Sequence, residues 1–311
     1  AATDACFLAF KIPNFVRRLF AEGSFSLAFV PVLSEVRATG DRHALRDLID
    51  HVSGTLFSIL LVVTAIGVLA APAVLAIFAP GWLIEGRPEF HLAADMLRIT
   101  FPYILLISLT ALAGGILNSF DRFLVPALTP ALLNISLIAA AVLLSVRLEV
   151  PVMALAWGVL VAGVLQLLVQ LPALMRLGVL PRPRWGWRHP GVRRVLKLMI
   201  PTLIGSSVAQ VNLLLDLVIA TFLVSGSVSW LYYSDRLMEF PLGVFGVALS
   251  TVILPNLSRK FARNNPEAFS HTLDWALRLA AVITLPAALG LAVIVAGARL
   301  AHIDDVASDT R

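Results

Sequence analysis

The sequence predicts an all-α integral membrane protein, a polytopic bundle of helices arranged in two lobes. Apolar residues make up 59% and charged residues 14% of the 311 positions, whereas soluble domains average about 45–50% and about 25%. Eight stretches are apolar and long enough to cross a hydrocarbon layer of about 30 Å as helices. The basic residues between these stretches lie almost all on one side, as the positive-inside rule leads one to expect.

The first predicted span, residues 4–36, is apolar but carries a stripe of charged and polar side chains. At about 100° per residue, the stripe is roughly 80° wide. An ionised side chain at mid-depth of a bilayer costs about 2.5–3.5 kcal/mol on insertion scales, so the stripe should face a polar cavity or partner helices. Its members are Asp4, Lys11, Asn14, Arg18 and Glu22, with Arg17 at the edge beside Asn14.

Seven further spans follow along the chain. The second, residues 52–80, is interrupted by Pro72 and should be closed by a loop at residues 81–89. The third to fifth spans are residues 99–120, 126–146 and 151–175; after a basic segment, residues 176–197, come residues 198–225, 229–257 and 274–298. The residues that follow, 302–311, are too polar to remain in lipid.

The loops predict the orientation of the chain. If the chain enters the first span from outside, the inner loops hold 14 Lys and Arg residues and the outer loops hold two, Arg87 and Arg147, which strongly favours this topology. Trp185 and Trp187 lie among the arginines of the basic segment. They indicate either a segment on the inner membrane surface, attracted by anionic lipids, or an ordinary positive-inside loop.

The sequence also contains a repeat. A shift of 224 residues aligns seven identities without a gap: Ser26, Pro31, Leu33, Ser34, Ala38, Ala44 and Asp50 with Ser250, Pro255, Leu257, Ser258, Ala262, Ala268 and Asp274. Parallel six-helix repeats related by an axis along the membrane normal are a common transporter plan. We therefore expect an N-terminal lobe at residues 1–190, a partial C-terminal lobe at residues 191–311, and truncation at both ends.

The seventh span is the counterpart of the first and carries a second polar stripe. One face holds Ser229, Tyr232, Arg236, Glu239 and Ser250, with Asp235 at its edge. The two striped helices should face each other across a central cavity. The alternatives for Arg236 are a helix-end arginine that snorkels to the surface and a structural ion pair with a neighbouring carboxylate.

A separate intramembrane carboxylate, Asp216, stands alone in the apolar run VNLLLDLVIATF. Such a residue is a candidate for a cation site or a proton relay.

Enzymatic chemistry receives little support. The sequence contains neither a Walker A nor an HExxH motif, and its six histidines show no metal-ligand spacing. Arg17 and Arg18 could hold a phosphate for hydrolysis, but only Glu22 and scattered serines are nearby candidates for a base or nucleophile. Positive charge without an obvious reactive group favours binding of an anionic head group. Nucleic acid is not an expected partner, because no continuous basic surface with interleaved aromatic residues is present.

Three long segments carry a specific resemblance to a known family. They are ATDACFLAFKIPNFVRRLFAEGSFSLAFVPVLSE (2–35), ITFPYILLISLTALAGGILNSFDRFLVPALTPALLNIS (99–136) and SGSVSWLYYSDRLMEFPLGVFGVALSTVILPNLS (225–258). They closely resemble the MurJ (MviN) family of lipid II flippases, within the superfamily of multidrug and oligosaccharidyl-lipid exporters. The resemblance extends to about residue 297. Since the family has fourteen transmembrane helices, it implies that this chain holds the second through the ninth.

The resemblance also implies a function and a site. The function is translocation of lipid II from the inner to the outer leaflet of the bacterial cytoplasmic membrane by alternating access. In the family's central cavity, arginines are thought to hold the pyrophosphate; Arg17 and Arg236 match two of them, and Arg18 adjoins the first. The polar positions that match are Asp4, Asn14, Glu22, Ser229 and Glu239. Asp216 resembles a carboxylate that binds sodium in some members, so a sodium ion is the one cofactor to consider.

Two other classes of function stay open. One is an exporter of the same superfamily that carries another polyprenyl-linked sugar or a drug. The other is a membrane enzyme acting on polyprenyl pyrophosphate. Lipid II and membrane lipids are the expected partners, and the sequence carries no signal for the oligomeric state.

Overall fold

The computed structural model describes residues 2–17, 25–241 and 266–309, together with the single positions 243, 253, 257 and 260. Throughout these residues the regular structure is helical, without strands. In chain order the helices are α1 (Ala2–Arg17), α2 (Ser26–Ala38), α3 (Arg42–Leu69), α4 (Ala71–Phe78), α5 (Pro80–Ile84), α6 (Pro88–Thr100), α7 (Tyr103–Ser119), α8 (Leu124–Ala139), α9 (Met153–Leu177), α10 (Pro190–Thr221), α11 (Ser227–Pro241) and α12 (Pro266–Asp309). A π-helical turn, Ala140–Leu144, and a 3-10 turn, Ser145–Arg147, extend α8.

The helices confirm a polytopic all-α membrane protein. In the described part of the chain, five helical segments are long and apolar enough to span a membrane, namely Arg42–Leu69, Pro88–Ser119, Leu124–Arg147, Met153–Leu177 and Glu267–Gly290. The two halves of α10, Pro190–Gly205 and Gln210–Thr221, are bent by 52° and together make a sixth. The other two predicted spans, residues 4–36 and 229–257, both include positions outside the described residues.

Residues 4–36 are seen as two helices, α1 and α2, on either side of the undescribed residues 18–24. α1 packs against α6, α7 and α9, whereas α2 packs against α7, α10 and α3. Both helices therefore lie along α7, with α1 near the beginning of α7 and α2 near its end. Phe29 and Leu33 of α2 are fully buried together with Ile116 and Leu117 of α7.

Prolines set the breaks between the helices on the predicted outer side. Pro72, Pro80 and Pro88 each stand in the first turn of a new helix, where a missing N–H and a fixed φ are tolerated. The loop predicted at residues 81–89 is shorter than expected. It contains the end of α5 and the start of α6, so that only residues 85–87 are non-helical.

Polar side chains join three of the membrane helices. Gln166 of α9 donates through Nε2 to the carbonyl of Thr129 in α8 at 3.1 Å, and Gln170 donates to the Thr129 hydroxyl at 3.2 Å. Tyr103 of α7 donates its hydroxyl to Gln166 Oε1 at 3.4 Å. Such hydrogen bonds between membrane helices are worth about 0.6 kcal/mol on average, and here they fix α7, α8 and α9 as one layer.

The linker, residues 178–189, leaves α9 at Gly178, which has φ +67°, and runs along the first half of α3. The backbone N–H groups of Arg182 and Arg184 donate to the side chain and the carbonyl of Asp50 at 2.8 and 2.9 Å, and Gly186 donates to Thr55 Oγ1 at 3.2 Å. The linker contains no helix. Trp185 and Trp187 stack with ring centroids 6.3 Å apart and are 62% and 49% exposed. Whether they lie on a membrane surface stays a prediction.

The beginning of α3 shows how the inner ends of the helices are fixed. Asp41 accepts hydrogen bonds from the backbone N–H groups of Ala44 and His43, and these donors hold the pKa of Asp41 below its usual value. Because the pKa is lower in the folded chain, this cap stabilises the fold above about pH 4 and is lost as the pH falls further.

The chain divides by its contacts into two compact units, Ala1–Ser229 and Trp230–Arg311. In the first unit, α10 packs against α2, α3, α4 and α5. The lobes predicted from the repeat, residues 1–190 and 191–311, stay a prediction.

Replacing Gly54 by Ala should destabilise the protein, because the added Cβ would lie 2.3 Å from the backbone nitrogen and oxygen of Arg184. Backbone atoms cannot rotate away, so the linker must shift. Overpacking of this kind costs about 1–3 kcal/mol. The measurement is the unfolding temperature of the detergent-solubilised protein.

Gly205→Ala is the matched control, since its Cβ meets nothing within 4 Å and alanine favours the helix by up to about 1 kcal/mol. Equal unfolding temperatures for the two variants would show that the linker is not held against α3.

Candidate functional site

Among the predicted site residues that the structure describes, Asp4 is the most buried, with 1% of its surface exposed. Its Oδ2 accepts the backbone N–H of Gly226 at 2.7 Å, and its Oδ1 accepts the backbone N–H and the hydroxyl of Ser229 at 2.8 and 2.5 Å. These donors belong to the turn before α11 and to its first turn. The N-terminus of a helix leaves N–H groups without an intrahelical acceptor and carries the positive end of the helix dipole. The Asp4 carboxylate of α1 therefore caps the N-terminus of α11.

A second carboxylate holds the same turn. Glu89, in the first turn of α6 and 7% exposed, accepts the hydroxyl of Ser225 at 3.0 Å. Gly226 has φ +102°, a conformation that favours glycine because other residues meet a steric penalty there. The chain between α10 and α11 is thus fixed by α1 on one side and α6 on the other.

Asn14 and Arg17 form a pair at the other end of α1. The Nε and Nη2 groups of Arg17 donate to Asn14 Oδ1 at 2.9 and 2.6 Å, and both side chains are half-buried. Because the two residues are three positions apart, they lie on one helix face. Asn14 therefore fixes the plane of the guanidinium group.

In the second unit, Arg236 lies between two partners on α11. It donates to Tyr232 Oη at 3.3 Å and to Glu239 Oε2 at 3.2 Å, and its guanidinium carbon is 5.4 Å from the centre of the Tyr232 ring. The side chains of Arg236 and Glu239 are 60% and 48% exposed within the described structure. The structural ion pair considered from the sequence is thus present, and it leaves much of the arginine accessible.

The remaining predicted site residues are less informative. Arg18 and Glu22 lie outside the described residues. Asp216 is exposed on α10, in the half of the helix that follows the bend. The predicted binding roles of all eight residues, and the sodium role of Asp216, stay predictions.

The structure brings together a group that the sequence did not reveal. Asp47 Oδ2 lies 3.0 Å from His189 Nε2, and Asp47 Oδ1 lies 3.2 Å from His51 Nδ1. The imidazole rings of His51 and His189 stack with centroids 4.6 Å apart. The four-residue spacing of Asp47 and His51 is visible in the sequence. The third member, however, lies 138 positions beyond His51, where no local sequence pattern links it to the pair.

Comparison with known proteins identifies the family. Residues 1–298 match the family model described as lipid II flippase MurJ. The chain is 52% identical over 300 residues to the probable lipid II flippase MurJ of Vibrio cholerae serotype O1, which covers 94% of this chain and 57% of that protein. It is 47% identical over 293 residues to the lipid II flippase MurJ of Burkholderia cenocepacia, covering 93% and 57%.

A solved structure is similar as well. It is described as lipid II flippase MurJ in an inward closed conformation, and it superposes with a TM-score of 0.76 at 28% identity, covering 93% of this chain and 58% of that one. The chain thus spans less than three fifths of the length of these relatives. The resemblance predicted from the three segments is confirmed.

Replacing Asp4 by Ala should lower the free energy of unfolding by roughly 2–3 kcal/mol, because hydrogen bonds to a charged group are lost and the buried N–H of Ser229 and the part-buried N–H of Gly226 lose their acceptor. Ser229→Ala should cost less, about 1 kcal/mol, since only the hydroxyl is removed. Both are measured by denaturant or thermal unfolding in detergent.

The control is Asp95→Ala, which removes an exposed ion pair with Arg98 at 2.7 Å and should cost less than about 1 kcal/mol. A loss as small for Asp4→Ala as for this control would contradict the capping role.

Proposed function

The chain belongs to the MurJ family of lipid II flippases, and we propose that it moves lipid II from the inner to the outer leaflet of the bacterial cytoplasmic membrane. The family match over residues 1–298 is the observation that carries this proposal. The family consists of flippases rather than enzymes. The enzymatic alternative therefore gains no support from the comparisons.

The two arginines supply the chemistry that a diphosphate requires. Moving an unpaired charge into hydrocarbon costs many kcal/mol, and a guanidinium group offsets this cost with paired, planar hydrogen bonds to phosphate oxygens. Asn14 orients Arg17 through two of its N–H groups, and Tyr232 with Glu239 orients Arg236. A guanidinium group whose plane is already fixed loses less conformational entropy when the ligand binds.

Release of the ligand is as necessary as binding. Glu239 is 3.2 Å from Arg236 and competes with a diphosphate for the same guanidinium group. The bound state is thereby weakened, and the ligand can leave on the far side of the membrane. Arg18 and Glu22 complete the proposed substrate-binding set on the first striped segment. Asp4 and Ser229, which are buried and bonded to each other, support the set by fixing the start of α11.

We propose Asp216 as a sodium ligand on narrower grounds. Sodium sites of transporters use carbonyl groups of interrupted membrane helices, and α10 is bent by 52° between Gly205 and Gln210, just before Asp216. One exposed carboxylate is a single ligand, so further oxygen atoms must come from other parts of the protein.

Replacing Arg17 or Arg236 by Ala in the full reading frame that encodes this chain should abolish transport while leaving insertion and folding intact. Lysine in their place should retain less than the wild-type activity, because it lacks the planar pair of donors. The measurement is complementation in cells depleted of their own flippase, combined with detection of lipid II on the outer leaflet. Protein level and unfolding temperature report on folding.

Arg98→Ala is a matched control, because Arg98 pairs with Asp95 three residues away, as Arg236 does with Glu239. It should complement normally. Normal complementation by both Arg17→Ala and Arg236→Ala would refute the binding role of these arginines. Exposure of another polyprenyl-linked sugar instead of lipid II would refute the substrate.

A further inference from the structure

The cluster of Asp47, His51 and His189 joins two parts of the first unit that are distant in sequence. Asp47 and His51 are one turn apart on α3 and point the same way, as residues four positions apart do on a helix. His189 is the last residue of the linker and caps α10 by accepting the Gly191 N–H at Nδ1, 3.2 Å away. All three side chains are partly buried, with exposures of 34%, 22% and 23% in the order given.

The distances in this cluster fit the size of a metal ion. One ligand atom from each residue can be chosen so that all lie within 4.8 Å of one another. Zinc binds imidazole nitrogen and carboxylate oxygen at about 2.0–2.2 Å in a tetrahedron, which places its ligand atoms roughly 3.3–3.5 Å apart. The 3.0 Å separation between Asp47 Oδ2 and His189 Nε2 lies close to this value. The two imidazole planes are 9° apart, so the rings must turn for the lone pairs of both histidines to converge on one ion.

The surrounding groups orient these ligands. His51 Nδ1 lies 2.8 Å from the backbone carbonyl of Asp47, an acceptor that favours a proton on Nδ1 and leaves Nε2 with its lone pair. Metal-bound histidines usually have a partner of this kind on the other ring nitrogen. The third ligand is positioned by the contacts of the linker with Asp50 and Thr55. The backbone of both elements is therefore already in place, and only the two imidazole rings must turn to bind an ion.

The cluster opens onto solvent on one side. His51 and His189 line a surface cavity of about 540 Å³ together with Trp185, Trp187 and Arg188. The cavity has room for the water molecule that completes a site with three protein ligands. The charge of Arg188 opposes a cation there, whereas the carboxylates of Asp47 and Asp50 favour it.

Metal binding has one identifiable cost. If His189 coordinates through Nε2, the proton of its neutral ring moves to Nδ1, and the Gly191 N–H loses its acceptor. Water can replace this acceptor at a helix N-terminus, so the loss of the Nδ1 contact does not by itself prevent coordination.

From this geometry we infer that Asp47, His51 and His189 form a binding site for a first-row transition dication of the zinc class. The site fastens the linker to α3. It is independent of the residues proposed to bind lipid II, and it holds whether or not the flippase proposal does.

The test is titration of the metal-free, tag-free protein in detergent with Zn²⁺ by calorimetry, and with Co²⁺ by visible absorption. We expect one ion per chain, a tetrahedral cobalt spectrum, and a higher unfolding temperature with zinc. His51→Gln, Asp47→Asn and His189→Asn should each weaken binding at least tenfold. Asparagine at position 189 retains the ability to cap α10, so this variant separates loss of the metal from loss of the fold.

His43→Ala is the control for non-specific binding, because His43 is exposed in the first turn of the same helix. It should bind zinc as the wild type does. Absence of stoichiometric binding in the wild type, or equal affinity in the wild type and His189→Asn, would overturn the inference and leave the cluster a set of structural hydrogen bonds.

Discussion

The structure depends on one constraint: a polar group in a membrane helix must find its partner within the protein, because lipid offers none. Asp4 meets it through Gly226 and Ser229. Gln166 meets it through the Thr129 carbonyl. Each such pair joins helices that the apolar contacts alone would leave free to slide, since lipid tails are as apolar as leucine. The polar pairs therefore select one arrangement among many with similar apolar burial.

The same constraint divides the stripe of α1 into two parts. Its first half is packed against α6, α7 and α9, so that Asp4, Leu8 and Ile12 are almost completely buried. Its second half is more open, and Asn14 and Arg17 are only half-buried. A periodic pattern gives the direction of side chains around a helix but not their depth in the bundle. Asp4 is thus engaged in holding a turn, whereas Lys11 and Arg17, further along α1, are half-buried.

The sequence predicts those features of the fold that depend on contacts between residues close together along the chain. Hydropathy identified most of the spans but not all of their ends, since the predicted spans 52–80 and 99–120 correspond to Arg42–Leu69 and Pro88–Ser119. Prolines identified breaks between helices, because their effect is local. The linker along α3 was not foreseen, since it depends on hydrogen bonds from Arg182 and Arg184 to Asp50, more than 130 positions away. The capping of α11 by Asp4 spans 222 positions to Gly226. The residues of the candidate site were predicted from the polar stripes and from the resemblance to a family. Their long-range hydrogen-bond partners become visible only in the folded structure.

The repeat and the contacts divide the chain at different places, and the difference has a physical reason. A repeat boundary near residue 190, which stays a prediction, would mark where a duplicated sequence begins again. Contact grouping instead reports which helices touch, and α10 touches α2 and α3. The apolar face of a helix is buried by whichever neighbours lie beside it in the fold, whatever their distance along the chain. A helix near a repeat boundary can therefore pack on helices that precede the boundary, as α10 packs on α2 and α3.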